Sequence, residues 1–595
     1  MRAKLVKRGS LLSLIAVFVL TSVARAEHPP APKLLPQKTL AYLRISSVPD
    51  LTKGFNKTAF GRLFKDPKIR PLIGDLYKTG AEAFKRVEQR IGLSLDQLLR
   101  IPQGELAIAL VAPESGNMAL VGILEVGKSS ANANKLLKQM AGGLATGGYK
   151  TSTQKAGNIK LTIHNKPDAG FFKDLVLFER DKTIYFFTDV QLAKQTLKVW
   201  DGANLKTFST NNNFVTIMKK SLGTKEERPQ VTFFVDPIEI VRVVGQDNFG
   251  VQVALSFFPR LGLDGLKGIG GSMIMGTEEF DSIMHLHILT EGKRKGILEM
   301  IALEPGEITP ERFVPSDVAS YMSVNWDLKK TYRLVAQAID SFQGKGTTAE
   351  SLQKNVSKNL GVDVEKEILG QLGKRFTMMQ HVVQPGVVNG TSMFLALEIQ
   401  DGKKFKKTFD KILNKVAQNP NQIKQKRFGG VTTYQVDFPI PRNFNEQLMR
   451  KPEVVVAIMN NYFVFSDSMK FMRHVIRRNS GQGKNLADEL DFKLIQQQIG
   501  RQIKTKPAMI IFSRPGPVLK GFYDLAAKEE RRKAWTQPRR EGAQQNRVIG
   551  ILDKALTDNP LPPFKTIEKY LTTAGALISV DDTGFHYTAF SLKRE

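Results

Sequence analysis

The chain has 595 residues, with 87 Lys and Arg against 57 Asp and Glu for a formal net charge of +30, and no cysteine. Without a thiol there is no disulfide, no thiolate-held zinc or iron–sulfur centre, no cysteine nucleophile and no thioether lipid anchor. A hydrophobic fraction of 42% beside 24% charged residues supplies enough apolar side chain for real cores and excludes a wholly disordered chain.

The first 26 residues open on Arg2, Lys4, Lys7 and Arg8, run through the apolar stretch 11–20 and close on Ala24-Arg25-Ala26. This is the layout of a secretory signal peptide cleaved after Ala26, with Glu27 as the first mature residue. A retained anchor is the competing reading, but a spanning helix needs about 20 apolar residues, and Thr21-Ser22 interrupts the run first. The short bacterial form of the signal points to the periplasm or to secretion. It carries five basic residues and no acid, so its removal leaves a net charge of +25.

Downstream, alternation of apolar and polar residues predicts strands over 40–46, 106–111, 118–126, 160–163, 175–178, 184–187, 231–235 and 271–275. Helical spacing marks 69–91, 131–140 and 190–200. The runs 175–179 and 183–188, separated by Arg180-Asp181-Lys182, read as a hairpin. Ala141–Gly148 reads as a flexible turn. Strands that arrive in adjacent pairs predict an α+β fold, mainly an antiparallel sheet with helices packed on it.

The same pattern occurs twice, about 278 residues apart. Pro36 to Tyr42 corresponds to Pro315 to Tyr321, and Gly92 with Gly104 to Gly361 with Gly373. The strand 120–126 corresponds to 394–399, Thr183–Asp189 to Asn461–Asp467, and Pro229–Pro237 to Pro507–Pro515. Five blocks in one order predict two tandem α+β copies, over 27–303 and 312–595, joined by a linker at 304–311. A charged insertion, 528–547, has no counterpart in the first copy.

Catalytic signatures are scarce. The seven histidines form no HExxH pair. His285 and His287 lie two apart on a strand and so face one side; they read as polar residues on a solvated strand face. Gly344-Lys345-Gly346 lacks the spacing of a phosphate loop, and Gly268–Ser272 lacks the third glycine of a dinucleotide fingerprint. Asp189 and Asp467, at strand-to-helix junctions, read as helix caps. Glu125 and Glu398, near the ends of matching strands, read as strand-edge ion pairs. Asp236 aligns with Arg514, a charge inversion that argues against a shared catalytic centre there. The densest basic run is Lys403, Lys404, Lys406, Lys407, Lys411 and Lys415, followed by Lys424, Lys426 and Arg427. It reads first as a solvated face and second as a site for an anionic ligand.

The opening strand Leu35-Pro36 to Tyr42-Leu43-Arg44, Phe60-Gly61-Arg62-Leu63 with Asp66-Pro67, Gly92 to Leu98, and Gly104-Glu105-Leu106-Ala107 together resemble large exported bacterial proteins of an uncharacterised domain-of-unknown-function family. The resemblance is strongest over about the first 200 residues, implies export and a mixed α+β fold, and brings no catalytic residue with it. The expectation is an exported, non-enzymatic envelope protein that binds or scaffolds through a basic surface. Its expected partners are an anionic envelope polymer or lipid headgroups rather than nucleic acid, with no cofactor required. The alternatives are an envelope hydrolase whose site is assembled from distant residues, and a lipid or lipoprotein carrier.

Overall fold

The apolar alternation resolves into a single run of paired strands. A computed structural model describes residues 28–113, 118–222, 228–416, 423–436, 449–451, 453–503, 505–528 and 547–594, together with Phe444 and Glu530. The stretch 1–26 expected to be a signal peptide and nearly all of the expected charged insertion 528–547 lie outside these residues. In chain order the strands are β1 (Thr39–Ile45), β2 (Leu106–Val111), β3 (Ala119–Glu125), β4 (Lys150–Ala156), β5 (Ile159–Asn165), β6 (Asp174–Arg180), β7 (Thr183–Phe187), β8 (Val231–Val235), β9 (Leu266–Met275), β10 (Phe280–Thr290), β11 (Ser320–Asn325), β12 (Leu372–Val382), β13 (Thr391–Ile399), β14 (Ile423–Phe428), β15 (Val431–Val436), β16 (Val454–Met459), β17 (Tyr462–Ser466), β18 (Met509–Ser513), β19 (Ala574–Asp581) and β20 (Gly584–Leu592).

Among the described residues these strands form one 20-stranded sheet in which every pair is antiparallel. From one edge the order is β4-β5-β6-β7-β3-β2-β1-β8-β9-β10. It continues β20-β19-β18-β11-β12-β13-β17-β16-β15-β14. The second ten reverse the first ten, so the order is mirrored about the β10–β20 seam. The fold is therefore α+β with a mainly antiparallel sheet, as expected.

One face of the sheet is packed from β5 to β16. In the first half Tyr42, Ala109 and Phe234 sit side by side in register, beneath Leu192, Leu197, Phe214 and Ile217 from the helices Val190–Trp200 and Asn212–Ser221. In the second, Tyr321, Met379 and Phe512 take the same arrangement, beneath Phe471, Val475, Phe492 and Ile495 from Met469–Asn479 and Leu490–Gln502. The second core also takes in Ile274, Phe280 and Ile283 from β9 and β10. The seam is thus hydrophobic core and not a loose contact. On the opposite face the helices Ser130–Thr146 and Gly402–Val416 cover the outer strands.

The hairpin at Asp181-Lys182 forms as expected, with both residues left-handed (φ 51° and 59°) as a two-residue turn between twisted strands demands. Several expectations are corrected. Residues 141–146 are not a flexible turn but the last part of the helix Ser130–Thr146. Strand β4, KTSTQKA, has no apolar alternation to betray it, because it is an exposed edge strand. The joining stretch 304–311 is fastened to the second half. The Gly306 N–H donates to the Pro507 carbonyl (3.2 Å), Ile308 packs against the second core, and Glu311 is buried in an ion pair with Arg375 (3.0 Å).

Candidate binding face

Between β3 and β13 the second face of the sheet is apolar and open. Leu43 and Ile108 are direct cross-strand partners, 46% and 49% exposed, with Phe233 beside Leu43 on the next strand. Across the seam the same face carries Met273, Met275, Met284, Met322, Met378, Met393 and Met509, none of them buried. Thioether side chains are unbranched and rotate freely, so such a surface can fit apolar ligands of differing outline. A contiguous apolar patch on an otherwise charged protein marks a binding surface.

One end of this face carries cations. Ser47 caps the helix Val48–Lys57, accepting from Asp50 N–H (3.2 Å), and Thr58 caps Ala59–Lys65, accepting from Gly61 N–H (3.1 Å). The turn between them is tight: a Cβ at Gly61 would lie 2.1 Å from the Phe55 carbonyl oxygen. It gathers Phe55, Phe60 and Phe64 edge to face, with Phe60 60% exposed. Lys53, Lys57 and Lys65 line a cleft of about 620 Å³ together with Gln103, just beyond the Ile45–Leu106 pair that ends β1 and β2. All three lysines are exposed, and among the described residues no acidic side chain lines the cleft. Exposed aromatics interleaved with lysines suit a surface where acyl chains meet anionic headgroups.

The basic run selected from sequence is dispersed. Lys403, Lys404, Lys406, Lys407 and Lys411 lie exposed on the helix Gly402–Val416, whose Phe405 and Phe409 turn inward. Lys406 pairs with Asp410 (2.6 Å) and Lys411 with Glu367 (2.8 Å). Lys424, Lys426 and Arg427 stand on β14, an edge strand, where charge discourages pairing with other chains.

His285 and His287 do share a face, but it is the packed one. They are 3% and 0% exposed, and His586 joins them from β20, directly across from His287. His285 Nδ1 lies 3.3 Å from His586 Nε2, and each of the three rings keeps one buried nitrogen without a partner. Burial lowers all three imidazoles, His285 to about 4 and His586 to about 3, so the cluster is neutral. Sequence periodicity gives the side a strand residue faces and not which side is covered, and this is why the solvated reading failed.

The carboxylates also move. Asp189 caps Val190–Trp200, accepting from Leu192 N–H at 2.7 Å. Asp467 does not cap: Ser468 does, and Asp467 accepts from Ser392 Oγ (2.5 Å), Met393 N–H (2.9 Å) and Arg450 (2.8 Å). Strand register therefore matches Thr188, which accepts from Leu120 N–H, with Asp467, and Asp189 with Ser468. Glu125 and Glu398 are chiefly acceptors of backbone N–H groups and not strand-edge ion pairs. Glu125 takes Glu105 N–H (2.9 Å), with His28 Nε2 at 3.2 Å, and Glu398 takes Lys374 and Arg375 N–H (both 3.1 Å). Asp236 caps the helix Pro237–Val244, while Arg514 holds the Asp491 carboxylate with two hydrogen bonds.

One cluster of metal-ligating type escaped sequence reasoning altogether. Asp317, His381 and His474, far apart in the chain, bring one ligand atom each within 4.8 Å of one another. Burial raises the Asp317 carboxyl, but the hydrogen bond and charge of His474 outweigh it and leave the group below its ordinary range.

No family model, curated protein or solved structure matches the chain. Among the described residues no helix is long and apolar enough to cross a membrane.

Proposed function

We propose that the chain is an exported, non-enzymatic binding protein of the bacterial envelope, built from two tandem copies of one α+β unit, whose ligand is an anionic amphiphile such as a phospholipid. The open Met-rich sheet face accepts the acyl part. The Lys53, Lys57 and Lys65 cleft beside the exposed phenylalanines accepts the headgroup. The single observation behind this reading is the Leu43–Ile108 pair, a cross-strand apolar pair left 46% and 49% exposed inside the sheet. Cleavage after Ala26 is part of the same reading, as is the mirrored strand order as the product of duplication.

The test is sedimentation of the protein with vesicles of an anionic phospholipid and of phosphatidylcholine over a salt series. Salt-sensitive retention on the anionic vesicles alone is expected. It should fall at least tenfold when Lys53, Lys57 and Lys65 are changed to Glu, and again when Leu43 and Ile108 are changed to Ser. Equal retention on both vesicles, or none on either, overturns the reading. Loss of retention only when the basic residues 403–427 are neutralised also overturns it.

A further inference from the structure

We infer that Asp317, His381 and His474 form a binding site for a divalent transition metal of the zinc type, independent of the amphiphile-binding face. Two imidazoles and one carboxylate are a common set of three protein ligands for zinc, with water or a ligand completing the tetrahedron. The three residues come from three elements: the loop before β11, the end of β12 and the helix Met469–Asn479.

Each of the three side chains is held in place by its neighbours. His381 Nδ1 faces the Asp317 backbone carbonyl at 3.3 Å, which places the proton there and leaves the Nε2 lone pair free. A metal-binding histidine is typically fixed by donation of its other N–H to a carbonyl in this way. The ring is further held flat against Phe471, with centroids 5.1 Å apart, and lies 5.3 Å from the His474 ring. His474 Nε2 is 2.8 Å from Asp317 Oδ1. Ligand bonds of about 2.0 Å in a tetrahedron separate ligand atoms by about 3.3 Å, so this pair needs to widen by only a few tenths of an ångström.

The loop is pinned. Arg514, itself fastened to Asp491, donates to the carbonyls of Ser316 and Val318 on either side of Asp317, and Ala319 N–H donates to the Gln380 carbonyl at 2.8 Å. A neighbouring cation, Lys470, is engaged with the Val383 carbonyl at 2.7 Å. A preformed first shell supported by a second is what tight metal binding requires.

The first half shows that the fold does not need these residues. Tyr42 and Tyr321 occupy matching places, paired with Ala109 and Met379. By that register Asp317 corresponds to Lys38 and His381 to Val111. Counted from the helix caps Asp189 and Ser468, His474 corresponds to Gln195. Lysine, valine and glutamine hold the same backbone, so the Asp-His-His set is additional to what folding demands.

The test uses the untagged full chain, stripped with a chelator and titrated with Zn²⁺ in competition with a chromophoric chelator. One equivalent is expected to bind, weakened at least tenfold in His381→Ala and in the exposed-site variant His474→Gln, with unchanged circular dichroism. X-ray absorption of the loaded protein should show two imidazole nitrogens in the first shell. No stoichiometric binding overturns the inference, as does binding that is undiminished in both variants.

Discussion

The two halves of the sheet share every strand and almost none of their polar chemistry. Beside the buried Tyr42 in the first half, Arg44 on β1 pairs with Glu105, which also accepts Ala31 N–H. Beside Tyr321 in the second, the cation has moved to β12 as Arg375, and its acid, Glu311, comes from the segment that joins the halves. Asp236 and Arg514 begin matching proline-led helices with opposite charge. What both halves keep is apolar register and one backbone device. A Cβ at Gly104 would lie 1.9 Å from the Glu125 carboxylate, and one at Gly373 would lie 2.4 Å from that of Glu398. The lesson is that a shared carboxylate here marks a structural acceptor, and that the polar residues peculiar to one half are where function has room to appear.

The largest effect expected from breaking this comparison is at Glu311. Glu311→Ala strands the buried Arg375 guanidinium, an uncompensated charge worth roughly 3–5 kcal/mol. Glu105→Ala should cost less, since the Arg44 side chain is 22% exposed against 11% for Arg375. Denaturant midpoints of the two variants should fall in that order; equal midpoints would mean that the two ion pairs are interchangeable.

Next in size is the seam. Its histidines, with Lys220 and Asp581 the charges nearest them, are neutral when folded and titrate near 6.5 when unfolded. Below that pH the unfolded chain takes up protons that the folded chain refuses. Stability is therefore complete above about pH 6.5 and falls as the pH drops toward 4, by on the order of 3 kcal/mol for His285 alone. Melting temperature followed from pH 7.5 to 4.5 should show the loss, and His285→Phe should flatten it.

Smaller still, Gly104→Ala and Gly373→Ala should each cost roughly 1–3 kcal/mol through overpacking, with similar losses because both halves use the contact alike. At the helix caps Asp189→Ala and Ser468→Ala should each cost about 1 kcal/mol. Asp467→Ala should cost more than either, because it releases Arg450 and the Met393 N–H together. If Asp467→Ala matches Asp189→Ala in thermal melts, the one-residue shift between the halves is not energetically meaningful.

Much of the fold was legible in the sequence, because a strand with one buried face writes its period of two into the chain. The eight strands read from the first half all occur, and β4 was missed for the reason that it buries neither face. The candidate sites were far less legible. The lysine run announced itself by local density, yet two of its helix lysines face acids across short distances and its last three residues guard an edge. The Lys53, Lys57 and Lys65 cleft is spread over two helices, and no local count of charge reveals it. Asp317, His381 and His474 span 158 positions of chain and meet only in space.

By itself, then, the sequence determined the absence of thiol chemistry, the strand and helix periods and the repetition of the pattern, since each depends on residues close together or on order alone. Only the tertiary structure decided that the two patterns join edge to edge into one sheet, that one face is packed and the other left open between β3 and β13, and that three histidines are buried at the seam. Those outcomes depend on which surfaces meet, and pairing across hundreds of residues leaves no period in the chain.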